Sequence, residues 1–200
     1  MRSTMMDIPL TISAIMRYGS SAYGGREVVT WTGDGTRRQT YAETAARAAR
    51  LANALRTLGV DGDQRVATLM WNNAEHLEAY LAIPSMGAVL HTLNLRLDPP
   101  QLAYIANHAA DDVVIADSTL VPLLATVLPH TKTIRHVIVT GRGLTEVPQA
   151  SELAGPGRAV HLYEELLGAA RDSFPWPDVD ERAAAAMCYT SGTTGMPKGV

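Results

Sequence analysis

The last twelve residues of the chain, 189–200, read Tyr-Thr-Ser-Gly-Thr-Thr-Gly-Met-Pro-Lys-Gly-Val and combine residue types that bind phosphate. Glycines let backbone N–H groups approach an anion closely, and hydroxyl side chains add further hydrogen-bond donors. Hydrogen bonds to a charged group contribute about 1.5–3 kcal/mol each, so a few of them can hold a triphosphate. The candidate ligands for ATP phosphate are Thr190, Ser191, Gly192, Thr193, Thr194, Gly195 and Lys198.

Lysine is rare in this chain, which makes the lysine of the motif informative. Lys132 and Lys198 are the two lysines among 17 basic residues, and the others are arginines. The alternatives are a solvated charge for Lys198 and a flexible surface turn for the glycine-rich run.

The spacing of the motif is not that of a Walker A loop, because Pro197 precedes the lysine and Gly199 follows it. It also differs from the G-x-G-x-x-G dinucleotide fingerprint.

The elements that must position this motif alternate between helix and strand. An apolar segment over Ala183–Tyr189 predicts a strand that leads directly into the motif. Upstream, the patterns predict helices over Tyr41–Leu58, Ala74–Met86, Leu120–Leu128 and Tyr163–Ala170, a helix starting at Pro99, and strands over Arg65–Met70, Ala88–Leu93, Val113–Ala116 and His136–Val139. This order predicts an α/β fold with a mainly parallel sheet flanked by helices. We expect residues 1–180 to form one α/β subdomain and 181–200 to form a strand plus the phosphate loop.

Capping residues fix the starts of three of these helices. Thr40 and Glu43 have the spacing of a capping box, and Asn73 can cap the next helix. Asp98 followed by Pro99 predicts an N-cap with proline at the first helical position. On the second helix we expect the side chains of Leu77, Tyr80 and Leu81 to point inward.

Other chemically capable residues have ordinary structural interpretations. Cys188 lies in an apolar segment and is expected in the core, since free cysteine packs as a small hydrophobe. Asp111 and Asp112 precede a predicted strand and are interpreted as turn residues. His76, His91 and His108 lie on three different elements without metal-ligand spacing, so no metal site is assigned. The Arg37-Arg38 pair is interpreted as part of a solvated turn.

Composition limits the class of protein. A chain of 200 residues with 46% hydrophobic and 18% charged residues is typical of about one globular domain. A net charge of −3 argues against a nucleic-acid partner, and a single cysteine excludes a disulfide within the chain. The longest uncharged apolar stretch, Ala79–Leu95, falls short of a membrane span. We expect a cytoplasmic protein without a transmembrane segment, and leave peripheral membrane contact open.

The run Thr190–Gly199 resembles, without gaps, the signature of the adenylate-forming enzymes. That superfamily includes acyl-CoA synthetases, firefly luciferase and the adenylation domains of peptide synthetases. The stretch Trp71–Tyr80 (Trp-Asn-Asn-Ala-Glu-His-Leu-Glu-Ala-Tyr) is most similar to bacterial medium- and long-chain fatty-acid–CoA ligases. The segment Gly87–Asn94 also resembles the N-terminal part of the family. The resemblance covers essentially the whole chain, and the phosphate motif is its most specific part.

The resemblance implies a two-step ligase. ATP and a fatty acid form an acyl-adenylate and pyrophosphate, and coenzyme A then displaces AMP to give a thioester. Thr190 to Lys198 would hold the β- and γ-phosphates, and Mg²⁺ would arrive with ATP. Ligases of this branch often pair through the N-terminal domain, so the resemblance also implies a homodimer or higher oligomer.

The chain departs from the family pattern because it stops one residue after the motif. We therefore expect an N-terminal segment that contains no catalytic residue and is inactive alone. We also expect it to associate, since the strand over Ala183–Tyr189 would lack later partners. One alternative is an adenylate-forming enzyme that activates aryl or amino acids. The other is a non-enzymatic interaction module.

Overall fold

The computed structural model describes residues 4–6, 8–141, 146, 150–190 and 196–200. In the described part of the chain the helices are α1 (Ile12–Ala22), α2 (Tyr41–Thr57), α3 (Ala74–Ser85), α4 (Pro99–Ala109), α5 (Val121–Val127) and α6 (Tyr163–Gly168). The strands are β1 (Glu27–Trp31), β2 (Thr36–Thr40), β3 (Arg65–Leu69), β4 (Val89–Thr92), β5 (Asp111–Asp117), β6 (His136–Thr140), β7 (Ala159–Leu162), β8 (Ala186–Met187), β9 (Tyr189–Thr190) and β10 (Lys198–Gly199). Short 3₁₀ turns flank α5.

Six strands form one parallel sheet in the order β7-β6-β5-β3-β4-β8. Successive side chains of a strand point to opposite faces, so Val66 and Ala67 belong to two different core clusters. The first cluster packs α2, α3 and α6 on one face of the sheet, and the second packs α4 and α5 on the other. The predicted α/β fold with a mainly parallel sheet flanked by helices is confirmed.

Helix α1 and the antiparallel hairpin of β1 and β2 precede this sheet, and the sequence patterns did not predict them. The hairpin pairs Glu27 with Thr40 and Trp31 with Thr36. Its predicted turn residues Arg37 and Arg38 lie within β2, where they pair with Glu75 and Glu27 respectively. The solvated-turn interpretation of these arginines is therefore wrong.

The predicted helix caps are present. The Thr40 side chain accepts a hydrogen bond from the backbone N–H of Glu43 at 3.2 Å, and the Thr40 N–H donates to Glu43 Oε2 at 2.6 Å. Asn73 accepts from the backbone of His76, and Asp98 accepts from that of Gln101. Each helix therefore starts at the predicted residue.

Helix α3 presents a different face to the core from the one expected. Leu77 and Tyr80 are 37% and 44% exposed, so their predicted inward orientation is wrong, whereas Leu81 is partly buried. The buried face carries small and branched residues such as Ala79 and Ile83. The same face also buries His76 and Glu78, whose polar atoms bond Thr68 on β3 and Tyr163 on α6.

The C-terminal strand is shorter and more exposed than predicted. Over Ala183–Tyr189, only β8 pairs with the sheet, through two residues at its edge, and β9 turns away into a separate pairing. Cys188 is exposed, so its expected core position is wrong. None of the helices described is both long enough and apolar enough to cross a bilayer.

Candidate phosphate-binding site

The two ends of the predicted phosphate motif are brought together by an antiparallel hairpin. Strands β9 and β10 pair Thr190 with Lys198 and Tyr189 with Gly199. The backbone groups of Cys188 and Val200 extend this ladder with two N–H···O bonds of 2.9 Å. Residues directly opposite each other in an antiparallel pair place their side chains on the same face. A hydroxyl and an ammonium group therefore lie side by side at the base of the motif.

Two of the seven predicted phosphate ligands can be placed. Thr190 and Lys198 are exposed and available to a ligand. The other five candidates lie outside the described residues, namely Ser191, Gly192, Thr193, Thr194 and Gly195. Thr190 and Lys198 could hold phosphate through one neutral donor and one cation.

The hairpin follows directly after β8, at the carboxyl end of a strand of the parallel sheet. Strand β8 runs parallel to β4 with Leu90 opposite Ala186 and His91 opposite Met187. Ligands of open α/β sheets bind outside the carboxyl ends of the strands. The hairpin therefore occupies the end of the sheet where phosphate binding is expected.

Tyr189 connects this hairpin to the rest of the fold. Its hydroxyl oxygen lies 2.6 Å from Nδ1 of His108 on α4. Its ring packs against Gly199, where an added Cβ would approach the ring to 3.1 Å. Burial, together with the negative charge of nearby Asp111, raises the pKa of the Tyr189 hydroxyl. The hydroxyl thus stays protonated and can donate to His108.

A buried histidine–aspartate pair lies beside Tyr189. His91 and Asp111 are both 0% exposed, and His91 Nδ1 lies 2.8 and 2.9 Å from the two carboxyl oxygens. Burial raises the pKa of Asp111, while the bond to His91 acts in the opposite direction. The His91 ring centre is 5.2 Å from that of Tyr189. His91 of this pair is therefore in contact with Tyr189, the first residue of β9.

The position of Asp111 corrects its interpretation as a turn residue. Asp111 and Asp112 are the first two residues of strand β5. Asp111 pairs with His91, and Asp112 forms two bonds to the guanidinium of Arg135. Their partners are 20 and 23 residues distant in sequence. Local sequence composition therefore could not distinguish these aspartates from turn formers.

The three histidines do not meet at one site. His76 on α3 bonds Thr68 on β3, whereas His91 and His108 both contact Tyr189. In the part of the chain that the structure describes, no three His, Cys, Asp or Glu side chains are grouped to hold a metal ion. The sequence did not reveal the contact between Tyr189 and His108, because it joins positions 81 residues apart.

Comparison with known proteins gives the family of the chain. Residues 18–200 match the family described as "AMP-binding enzyme". The chain is 46% identical to a long-chain-fatty-acid–CoA ligase of Thermus thermophilus, over 99% of this chain and 34% of that protein. It is 40% identical to a 3-methylmercaptopropionyl-CoA ligase of Ruegeria lacuscaerulensis, over 100% of this chain and 36% of the relative.

Solved structures show the same fold. A crystal structure of an anthranilate CoA ligase in complex with anthranoyl-AMP superimposes with a TM-score of 0.82 at 22% identity, over 100% of this chain and 36% of that one. A putative long-chain-fatty-acid CoA ligase from Rhodopseudomonas palustris gives 0.75 at 27% identity, over 96% and 44%.

The chain spans about a third of the length of the curated relatives it matches. Those relatives, aligned over essentially the whole of this chain, are named CoA ligases. With a family match over residues 18–200 and relatives that align over essentially the whole chain, the chain belongs to the AMP-binding enzyme family.

Proposed function

We propose that this chain is the N-terminal segment of a fatty-acid–CoA ligase. The ligase would join a carboxylic acid to ATP as an acyl-adenylate and then form the acyl-CoA thioester. The observation that carries the proposal is the hairpin that sets Thr190 beside Lys198 at the carboxyl end of the sheet. Relatives that share this segment are named for long-chain, medium-chain and 3-methylmercaptopropionyl substrates.

In the first step, the acid's carboxylate oxygen would attack the α-phosphorus of ATP, and the bond to the β-phosphate oxygen would break. Pyrophosphate leaves with the electron pair of that bond. Transfer of this kind needs positioning and charge neutralisation more than a protein nucleophile. Lys198 and Thr190 are suited to hold the β- and γ-phosphates, which become the leaving group. The proposal includes Ser191, Gly192, Thr193, Thr194 and Gly195 as further ligands.

In the second step, the thiol of coenzyme A would attack the acyl carbonyl carbon and AMP would leave. Mg²⁺ is proposed as part of the ATP substrate. The described hairpin residues carry no carboxylate, and carboxylates are the protein ligands that Mg²⁺ commonly uses. The metal would therefore be held chiefly by the phosphates and by groups elsewhere in the enzyme.

We also propose a cytoplasmic homodimer, with peripheral membrane contact left open. Exposed apolar side chains on α1 and β1, including Ile15, Tyr18 and Trp31, support a pairing surface in this part of the molecule. The division into residues 1–180 and a C-terminal strand and loop over 181–200 belongs to the same proposal. Sedimentation that stays monomeric up to high protein concentration would contradict the dimer.

Acid-dependent ATP–pyrophosphate exchange by the gene product that contains this chain tests the proposal. The panel comprises straight-chain acids of increasing length, benzoate and amino acids. We expect exchange that peaks with a fatty acid. Exchange with benzoate or amino acids alone would reject the fatty-acid substrate and keep the adenylate-forming activity. A folded, ATP-binding protein without exchange would favour the non-enzymatic alternative.

The proposal further expects the 200-residue chain to be inactive alone. Acyl-CoA formation by the purified chain, measured with the acid that supports exchange, would contradict this part of it.

A further inference from the structure

We call the antiparallel pair of β9 and β10, which carries Thr190 and Lys198, the phosphate hairpin. Its two strands are held together by few hydrogen bonds of their own. Strands β9 and β10 contribute two residues each, and β8 holds the sheet edge through two residues of β4. A two-stranded hairpin is at best marginally stable in water unless other elements pack on it. Something outside the hairpin must therefore fix the direction in which Thr190 and Lys198 present their side chains.

Tyr189 contacts the hairpin and the body of the fold at once. Its ring lies across Gly199 in the opposite strand, and its hydroxyl reaches His108 on α4 at 2.6 Å. The His108 ring is stacked on Tyr104, one turn earlier on the same helix, with ring centres 5.5 Å apart. Helix α4 therefore holds the imidazole in a fixed orientation towards the tyrosine.

The sheet supplies the second contact of Tyr189. The ring of His91, on β4, contacts the Tyr189 ring, and its Nδ1 is bonded to the Asp111 carboxyl on β5. Both residues are completely buried, so this contact is rigid on the scale of a side chain. Tyr189, one residue before Thr190, is thus in contact with His91 on β4 and with His108 on α4, and Asp111 on β5 in turn holds His91.

We propose that Tyr189 and His108 are positioning residues for ATP binding, because their hydrogen bond fixes the phosphate hairpin to α4. The inference rests on the proposed function. Neither residue needs to touch ATP, since Tyr189 acts through the backbone of Thr190 and through Gly199. Without the bond, the hairpin would sample several orientations and fewer molecules would be ready to bind phosphate.

Paired substitutions test this in the gene product that contains the chain. Tyr189→Phe and His108→Phe each keep an aromatic ring and remove one partner of the bond. We expect each to raise the KM for ATP about two- to tenfold in ATP–pyrophosphate exchange, with the KM for the acid unchanged. The double variant should match the single variants, since all three lack the same bond. Tyr80→Phe, which removes an exposed tyrosine hydroxyl on α3, is the matched control.

An unchanged KM for ATP in Tyr189→Phe, or additive effects in the double variant, would overturn the inference. Equal rises in the KM values for ATP and acid would also reject it, because they indicate general loss of structure. Absence of exchange in the wild-type protein would instead reject the proposed function.

A second readout does not depend on that activity. The backbone N–H groups of Cys188 and Val200 close the hairpin, so their hydrogen exchange reports its opening. Tyr189→Phe should accelerate exchange at both positions, whereas Tyr80→Phe should not. Unchanged exchange in Tyr189→Phe would contradict the anchoring role.

Discussion

At the scale of single residues, one buried carboxylate joins four elements of the fold. Glu78 on α3 is completely buried and accepts hydrogen bonds from the Tyr163 hydroxyl at 2.6 Å, Arg47 at 2.7 Å and Gln39 at 3.0 Å. Burial raises the pKa of Glu78, and the three donors oppose that rise. The carboxylate thereby connects α3 with α2, α6 and β2.

Replacing this carboxylate should be costly. Glu78→Ala leaves Arg47 and the Tyr163 hydroxyl without their buried partner, so we expect the free energy of unfolding to fall by about 3–5 kcal/mol. Glu164→Ala is the matched control, because Glu164 is an exposed partner of the same Arg47 and should contribute about 1 kcal/mol or less. Urea unfolding measures both. Equal losses in the two variants would contradict the central role of Glu78.

The sequence singled out candidate phosphate ligands, but it did not reveal the residues that contact their hairpin. Lys198 is conspicuous because lysine is rare here, and its neighbours are residue types that favour anion binding. Tyr189, His108 and the His91–Asp111 pair acquire their roles through contacts between residues 20 to 98 positions apart. No local pattern carries that information, so only the folded chain reveals it.

At the scale of elements, helix starts follow the capping residues. The reciprocal bonds between Thr40 and Glu43 satisfy backbone donors that the first turn of α2 would otherwise expose. We expect Thr40→Ala to lower the free energy of unfolding by about 1 kcal/mol. Thr57→Ala, at the other end of α2, removes a hydroxyl bonded only to the carbonyl of Asn53 and should change little. Thermal unfolding that ranks the two variants in the opposite order would contradict this.

The glycine opposite Tyr189 should be sensitive to a single methyl group. Gly199→Ala would place Cβ 3.1–3.2 Å from a ring that is held by its other contacts, so the hairpin must shift. We expect a higher KM for ATP in the exchange reaction. Gly168→Ala is the control, because a Cβ there meets no atom within 4 Å. A Gly199→Ala enzyme with the wild-type KM would show that the hairpin tolerates the methyl group.

Elements with caps or a clear apolar face were predictable, and exposed strands were not. Strand β2 reads Thr-Arg-Arg-Gln-Thr and has no apolar residue to reveal an alternating pattern. The opposite error occurred over Ala183–Tyr189, where a continuous apolar run leads into two short, partly exposed strands. A continuous hydrophobic run predicts a strand that is buried between two layers. The same run does not predict burial when the strand lies at the edge of a sheet.

At the scale of the whole molecule, we expect protonation of three histidines to lower the free energy of unfolding as the pH falls. Burial lowers the pKa values of His76, His136 and His161, and mutual repulsion adds to the effect at His161. Their folded-state values lie below the unfolded value of about 6.5, so the unfolded chain binds protons first. Stability from these groups is present above pH 6.5 and is lost as pH falls through the lowered values.

The raised pKa values of Glu78 and Asp111 favour the folded state as the pH falls, which opposes the effect of the histidines. The contribution of the histidines is therefore measured by comparing a histidine variant with the wild type. We expect a protein with His136→Gln and His161→Gln to lose less stability than the wild type between pH 7.5 and 5.5. Urea unfolding at both pH values measures this difference. An identical loss in the two proteins would show that the pair does not contribute.

The global arrangement was only partly accessible from sequence. Alternation of helices and strands predicted a parallel sheet, since parallel neighbours need crossover connections. The strand order, with β3 between β4 and β5 and β8 at the edge, depends on which faces pack together. That choice is set by the two core clusters, whose members are distributed over most of the chain.

Lys198 is proposed to bind the phosphates of ATP, and the chain provides a matched control in its other lysine, Lys132. The decisive measurement is the KM for ATP in acid-dependent pyrophosphate exchange by Lys198→Ala and Lys132→Ala. Loss of a charge-assisted hydrogen bond predicts a rise of about 10- to 100-fold for Lys198→Ala and no change for Lys132→Ala. A wild-type KM for ATP in Lys198→Ala, or equal rises in both variants, would contradict phosphate binding by Lys198.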